Sequence, residues 1–100
     1  MIAGLPLRIS SRAGYKVIVI PGSVVLSAHA KIMMQERMIE EVWIVRAIND
    51  PDRTDQKQDN EIHYLKKIPE NGGKYLRVIV NPIVAPPRVI TVFFDRRVQE

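Results

Sequence analysis

Two short apolar runs near the start of the chain have the composition of β-strands. Tyr15–Ile20 is rich in β-branched residues, and Val24–Leu26 resumes the same apolar pattern. Between them lies Pro21-Gly22, the pair that favours a type II turn. The pattern therefore predicts a pair of strands joined by this turn.

The period then changes to that of amphipathic helices. Ser27 is a suitable N-cap, and a first apolar stripe at steps of three and four residues follows it: Ala30, Met33, Met34 and Met38. A second stripe consists of Trp43, Ile44, Ala47 and Ile48. Asp50-Pro51 predicts its end, because a residue before proline is disfavoured in the helical conformation. Two consecutive helices are expected.

The second half of the chain has the pattern of a β-meander. Asp50–Asn60 is polar and aperiodic, which predicts a surface loop. Three segments typical of strands follow: Glu61–Ile68, Lys74–Val80 and Arg88–Phe94. The first two flank Asn71-Gly72-Gly73, a strong hairpin signal. The sequence thus predicts an α+β fold with an N-terminal strand pair, two helices and a three-stranded antiparallel meander.

The length of the hairpin turn decides which side chains share a face of the sheet. A two-residue turn would place Lys66 opposite Arg77, an unfavourable pair of like charges. A three-residue turn instead collects apolar side chains on one face: Ile62, Tyr64, Ile68, Leu76, Val78 and Val80. We prefer this second register, which places His63, Lys67 and Arg77 on the opposite face.

Positive charge is concentrated in the segments that flank the helices. Residues 1–28 carry a net charge of +3, residues 29–60 carry −2, and residues 61–100 carry +3, for a total of +4. A basic sheet surface would attract phosphate groups. A modest positive charge is also what keeps a small protein soluble, so both interpretations stay open.

Length and composition exclude several classes of protein. One hundred residues can bury one core, and we expect a weakly ordered leader over residues 1–14 and one domain over residues 15–100. The chain contains no cysteine, which excludes disulfides, thiolate metal sites and thiol nucleophiles. Pro21 and Gly22 interrupt the most apolar run, so we expect no signal peptide or membrane span and a cytoplasmic, bacterial location.

The familiar motifs of metal, hydrolase and nucleotide sites do not occur. The two histidines, His29 and His63, lack cysteines or suitably spaced carboxylates, so we predict no metal and no cofactor. Ser27 is not surrounded by the glycines of a hydrolase nucleophile elbow. Gly72-Gly73 belongs to the hairpin and is not followed by a helix, as a phosphate-binding loop requires.

Spaced identities in the helices and strands carry a family resemblance. They are Ser27-x-His29-Ala30, Met34, Arg37, Ile39, Ile44, Ala47-Ile48, Pro51, Leu76–Val80 and Ile90–Phe93. This pattern, over about residues 24–95, resembles a bacterial family of small domains of unknown function that is grouped with the RelE/ParE and BrnT toxins. The chain departs from it at Met33, where the family has its first arginine, and at Met38, where it has an inter-helix glycine. A left-handed Met38 would cost about 1 kcal/mol.

The resemblance implies a RelE-like sheet packed against two helices. The best-known activity of such toxins is RNA cleavage without a metal, either free or on the ribosome, whereas the ParE branch poisons gyrase. An acidic antitoxin that covers the basic sheet face is the implied protein partner. Because fold alone does not decide activity, we expect a toxin-like endoribonuclease and keep a non-catalytic binding or regulatory module, which Met33 favours, as the alternative.

Four residues are the candidates for catalysis under the ribonuclease hypothesis. His29, near the helix N-terminus, would stay neutral and act as base or acid, or else be a structural histidine. Arg37, two helical turns later, would bind phosphate or pair with a nearby carboxylate. Arg77 interrupts an apolar strand and would stabilise the phosphorane with assistance from Lys66 or Lys67.

A second set of residues is predicted to bind RNA: Lys67, Tyr75, Arg96 and Arg97. The basic residues would contact phosphates, and the tyrosine would stack on an unpaired base. For Tyr64 we favour ordinary cross-strand packing. Arg96 and Arg97 have a plainer alternative as the solvated end of the chain.

Overall fold

A computed structural model describes residues 8–9, 19–20 and 24–98 of the protein. Its elements in chain order are β1 (Arg8–Ile9), β2 (Val19–Ile20), β3 (Val25–Leu26), α1 (Ala28–Arg37), α2 (Glu41–Asn49), β4 (Arg53–Gln58), β5 (Glu61–Ile68), β6 (Lys74–Asn81) and β7 (Arg88–Asp95). Most of the expected leader lies outside the described residues. Within it, Arg8–Ile9 forms a strand.

The described strands form two sheets. β1 pairs with β2 in an antiparallel two-stranded sheet, and the other strands form a five-stranded mixed sheet in the order β3-β7-β6-β5-β4. The α+β class with two helices is therefore confirmed. Residues 15–18 and the predicted Pro21-Gly22 turn lie outside the described residues. The rest of the predicted strand pair is not formed, since Val19–Ile20 pairs with β1 in the other sheet and Val25–Leu26 pairs in parallel with Arg88 and Val89. Such a long-range pairing leaves no signal in the local pattern.

The two helices form where the apolar stripes predict them. The hydroxyl of Ser27 accepts a hydrogen bond from the Ala30 amide at 3.0 Å, which confirms the N-cap. α1 ends at Met38, whose φ of 55° and ψ of 45° are left-handed, the conformation for which the related pattern has glycine. Met38 is 83% exposed, so its assignment to the apolar stripe is wrong. α2 ends before Asp50, as predicted.

The predicted loop over Asp50–Asn60 contains a strand that the sequence did not indicate. β4, with the sequence RTDQKQ, pairs antiparallel with β5 at the edge of the sheet. It lacks an apolar alternation because five of its six side chains are exposed. Charged residues are typical of edge strands, where they oppose pairing with other chains.

The β5–β6 hairpin adopts the preferred grouping of side chains. Tyr64 pairs with Val78 and Leu65 with Arg77, so the unfavourable Lys66–Arg77 pair is absent from this hairpin. The turn is longer than the predicted three residues. It contains a 3-10 turn over Pro69–Asn71, and Gly72 and Gly73 follow with positive φ.

The core lies between the helices and one face of the five-stranded sheet, which we call the covered face. α1 packs on β7, and α2 packs on β5 and β6. Among the core side chains with no exposed surface are Ala30, Ile44, Ala47, Ile68, Leu76, Val78, Val80, Val89 and Val92. Tyr64 is 5% exposed within this core, which confirms its packing role. None of the described helices is both long and apolar enough to cross a membrane.

Candidate functional site

Polar and charged side chains collect on the other face of the sheet, which we call the open face. Because side chains alternate along a strand, the residues between consecutive core residues point away from the helices. On β5 these are Glu61, His63, Leu65 and Lys67; on β6, Tyr75, Arg77 and Ile79; on β7, Thr91, Phe93 and Asp95. The register thus gathers both cations and carboxylates on one surface.

A chain of hydrogen bonds crosses the open face from β5 to β7. Glu61 Oε2 lies 2.6 Å from His63 Nε2, and His63 Nδ1 lies 2.8 Å from Arg77 Nη1. Arg77 Nε then donates to Asp95 Oδ2 at 2.8 Å. The first contact joins residues two apart on β5, and the other two join diagonal neighbours on adjacent strands, which long side chains can reach. Arg77 is therefore fixed between an imidazole and a carboxylate.

The contacts of His63 determine its tautomer. A guanidinium has only donors, so His63 Nδ1 has to accept from Arg77 with its lone pair. The proton of the neutral ring then lies on Nε2, which donates to Glu61. His63 is 8% exposed, and this geometry orients it as a carboxylate orients the base of a catalytic triad.

Asp95 links two arginines although it is only 4% exposed. Its Oδ1 accepts from the Arg97 amide at 2.9 Å and from Arg97 Nε at 3.2 Å. Burial alone would raise the pKa of Asp95, but hydrogen bonds from Arg97 and Arg77 outweigh it and bring the pKa down to about 2. The hydrogen bond to Asp95 in turn raises the pKa of Arg97. Asp95 is therefore ionised at neutral pH.

A cavity of about 530 Å³ opens over this hydrogen-bonded chain. Its lining comprises Arg53, Lys57, His63, Arg77, Phe93, Asp95, Arg97 and Val98. Four of these side chains are cations and one is a carboxylate, so the lining carries a net positive charge. At its edge, Lys57 pairs with Asp55 at 2.8 Å, and this hydrogen bond lowers the pKa of Asp55. The charge favours an anionic ligand.

The structure divides the predicted sheet residues between the two faces. Arg77 and Arg97 line the cavity, and Lys67 and Tyr75 lie on the open face outside the lining. Lys66 points to the covered side, with Nζ 3.5 Å from carboxylate oxygens of both Asp50 and Asp52. The prediction that Lys66 assists Arg77 is therefore wrong in position, because residues 62, 64, 66 and 68 share the covered face.

The predicted helix residues lie apart from Arg77. His29 is exposed in the first turn of α1, a helix on the covered side of the sheet. Arg37 Nη1 lies 2.7 Å from Met33 Sδ and donates to the Val92 carbonyl at 3.2 Å, so it joins α1 to β7. Arg96 is exposed in the turn after β7 and is not among the lining residues. The structure does not bring His29 and Arg37 to the cavity.

Sequence reasoning missed several residues of this site. It placed His63 beside Arg77 on one face but gave it no functional role, and it did not single out Glu61, Asp95, Arg53 or Lys57. For Glu61 and His63 a signal existed, since residues two apart on a strand share a face. Arg53 and Lys57 reach the cavity because they lie on β4, and the polar sequence of β4 gave no sign of a strand.

Metal binding has little support among the described residues. No three of their histidine and carboxylate side chains are grouped so that they could bind one ion. Every fully buried side-chain nitrogen or oxygen in residues 24–98 has a hydrogen-bond partner. In the cavity, Arg77 and Asp95 hydrogen-bond to each other and to His63 and Arg97.

Comparison with known proteins identifies a family for most of the chain. The model of a family described as a domain of unknown function, DUF4258, matches residues 26–94. No curated protein and no solved structure matches. The matched segment runs from β3 to β7 and includes the hydrogen-bonded chain on the open face except for its last strand residue, Asp95.

Proposed function

The chain belongs to the family of the domain of unknown function DUF4258, and we propose that it binds the phosphodiester backbone of RNA in its open-face cavity and cleaves it there without a metal ion. The observation that carries this proposal is His63, an oriented imidazole that lies in a cationic cavity. Glu61 fixes its tautomer, and Arg77 contacts the nitrogen that would accept a proton.

In the first step, the Arg77 guanidinium exchanges its hydrogen bond to His63 for hydrogen bonds to a phosphate of the substrate. A phosphate offers a guanidinium two oxygens and a full charge, and such bonds are stronger than a bond to a neutral imidazole. Asp95 continues to bind Arg77 Nε during this step. The movement of the Arg77 Nη1 group would free the lone pair of His63 Nδ1.

The second step is attack of the ribose 2′-oxygen on the adjacent phosphorus. His63 Nδ1 takes the 2′-hydroxyl proton, the new P–O2′ bond forms, and the bond to the 5′-oxygen breaks. Glu61 stabilises the imidazolium, and Arg77 and Arg97 stabilise the charge on phosphorus. Lys57 is the proton donor that we assign to the leaving 5′-oxygen, because the arginines of the lining do not release protons.

The resemblance to RelE/ParE and BrnT toxins supports the same proposal and suggests a biological role as a toxin. A bacterial, cytoplasmic toxin of this kind would act on RNA, free or on the ribosome, and an acidic antitoxin would neutralise it. The cationic cavity is a suitable surface for acidic side chains of such a partner. Two arginines there already bind the carboxylate of Asp95.

Cleavage of RNA by the purified chain in EDTA tests the proposal. We expect the wild type to yield products with a 2′,3′-cyclic phosphate. His63→Gln keeps an acceptor for Arg77 and a donor for Glu61 but cannot take up a proton, so it should bind RNA and not cleave it. His29→Ala, purified in the same way, is the matched control and should cleave normally. Cleavage that survives in His63→Gln, or that requires a metal, would contradict the proposal.

A second candidate function is RNA binding without catalysis. One observation favours it: Arg77 occupies the lone pair of His63 that a base would need. In that case, wild type and His63→Gln would bind RNA equally and neither would cleave it. Arg77→Gln would weaken binding under both proposals, so only the cleavage assay separates them.

A further inference from the structure

We infer that the cavity binds one unpaired nucleotide, whose base stacks on Phe93 while its phosphate contacts Arg77 and Arg97. This inference rests on the proposed function and specifies its substrate as single-stranded RNA. Phe93 is half-buried on the open face, opposite Arg77 in the sheet, and is the aromatic side chain among the described lining residues. An aromatic ring in a cationic groove is the usual arrangement for binding unpaired bases.

The dimensions of the cavity suit this ligand. A volume of about 530 Å³ lies within the range of small-molecule sites and accommodates a nucleotide rather than a base pair with its backbone. Phe93 and Arg97 lie on either side of Asp95 along the chain. Arg97 is 85% exposed at its side chain, so its guanidinium is accessible to a phosphate.

The hydrogen bonds of Asp95 indicate that base identity is not read there. Each of its two oxygens already accepts two hydrogen bonds, from Arg77 Nε and from the amide, Nε and Nη2 of Arg97, at 2.8 to 3.4 Å. A carboxylate has about four acceptor positions, and all are in use. Binding should therefore depend on stacking area and favour purines over pyrimidines without strict selection.

Tyr75, the aromatic residue predicted from the sequence to stack on RNA, is the matched comparison. It lies on the same face, opposite Lys67 and Asp95, but it is not among the residues that line the cavity. Its removal should leave nucleotide binding unchanged. Comparison of substitutions at Phe93 and Tyr75 thus distinguishes stacking in the cavity from stacking elsewhere on the open face.

NMR titrations of the full chain with AMP and with ribose 5-phosphate test the inference. We expect the wild type to bind AMP about tenfold more tightly than ribose 5-phosphate, since stacking one base contributes this much or more. Phe93→Leu should abolish the difference, whereas Phe93→Tyr and Tyr75→Leu should retain it. CMP should bind less tightly than AMP.

Three outcomes would overturn the inference. They are equal affinities of the wild type for AMP and ribose 5-phosphate, a difference that survives in Phe93→Leu, and a difference that disappears in Tyr75→Leu. Ribose 5-phosphate also tests the proposed function separately, because it reports phosphate binding without a base. If it binds and AMP binds no better, the phosphate site stands and the base site fails; if neither binds, both fail.

Discussion

The two faces of the five-stranded sheet are built from the same strands but are stabilised by different interactions. The covered face consists of aliphatic side chains packed under α1 and α2. The open face is a chain of charge-assisted hydrogen bonds through His63, Arg77 and Asp95. Since alternate residues of β6 contribute Leu76 and Val78 to one face and Arg77 to the other, a period of two residues separates the core from the site.

This difference shows where each face can tolerate change. Close packing makes the covered face sensitive to volume, because neighbours do not fill a cavity left by a deleted side chain. The open face is sensitive to charge and to hydrogen-bond partners, because a buried group that loses its partner remains desolvated. Function can therefore be altered on the open face by substitutions that preserve shape.

The largest effect on stability is expected from Ile44→Ala on the covered side. Ile44 in α2 is fully buried, so removal of its side chain should lower the free energy of unfolding by about 2–5 kcal/mol. Val42→Ala in the same helix is the control, since Val42 is 53% exposed and should change stability by less than about 0.5 kcal/mol. Urea denaturation measures both. Equal losses would show that the helices do not cover the sheet as described.

Asp95→Asn should have the next largest effect, through charge rather than volume. The amide keeps the shape of the side chain but leaves Arg77 without its carboxylate, and we expect a loss of about 2–3 kcal/mol. Lys57→Gln is the control on the open face, because its partner Asp55 is exposed and such pairs contribute less than about 1 kcal/mol. If Asp95→Asn leaves the free energy of unfolding unchanged, the two arginines do not need this carboxylate.

Acid should weaken the open face selectively. The pKa of Asp95 is about 2, below its ordinary value of 3.8, so the folded state binds fewer protons than the unfolded state in this range. The contribution of Asp95, about 2 kcal/mol, is complete above about pH 5 and is lost progressively as the pH falls through about 2. The Asp95→Asn variant should therefore lose about 2 kcal/mol less of its free energy of unfolding than the wild type when the pH is lowered through this range. The Glu70 carboxyl, whose pKa is also about 2, titrates in both chains and cancels from the difference.

The smallest effect is expected outside both faces, at the turn between the helices. Met38→Gly should raise the free energy of unfolding by about 0.5–1 kcal/mol, because a left-handed conformation has no steric cost for glycine. Met38→Ala removes the same exposed side chain without relieving the backbone, so it should not stabilise the protein. If the alanine variant stabilises the protein as much as glycine, the backbone explanation is wrong.

Local patterns predicted much of the fold because its signals are local. The Ser27 cap, the two helices and the division of β5 and β6 into two faces follow from the spacing of apolar residues over a few turns or strand positions. The parallel β3–β7 pairing joins residues more than sixty positions apart, and β4 has no apolar residues to reveal it. Both needed the three-dimensional structure.

The candidate site was predicted less completely than the fold, for a related reason. Arg77 was found because a charge within an apolar strand is conspicuous, and the preferred register placed it with His63. That register also assigned Lys66 to the covered face, so its proposed role conflicted with the predicted sheet. Asp95 was missed because its importance comes from burial beside Arg77, which a position near the end of a strand does not reveal.

The central claim is that the open face binds RNA, and a pair of matched substitutions tests it most directly. Arg77 and Lys66 are cations on adjacent strands with side chains 15% and 17% exposed, but they lie on opposite faces. The affinity of a short single-stranded RNA should fall about tenfold or more in Arg77→Gln and less than about twofold in Lys66→Gln. Equal losses in the two variants, or a larger loss in Lys66→Gln, would contradict the account.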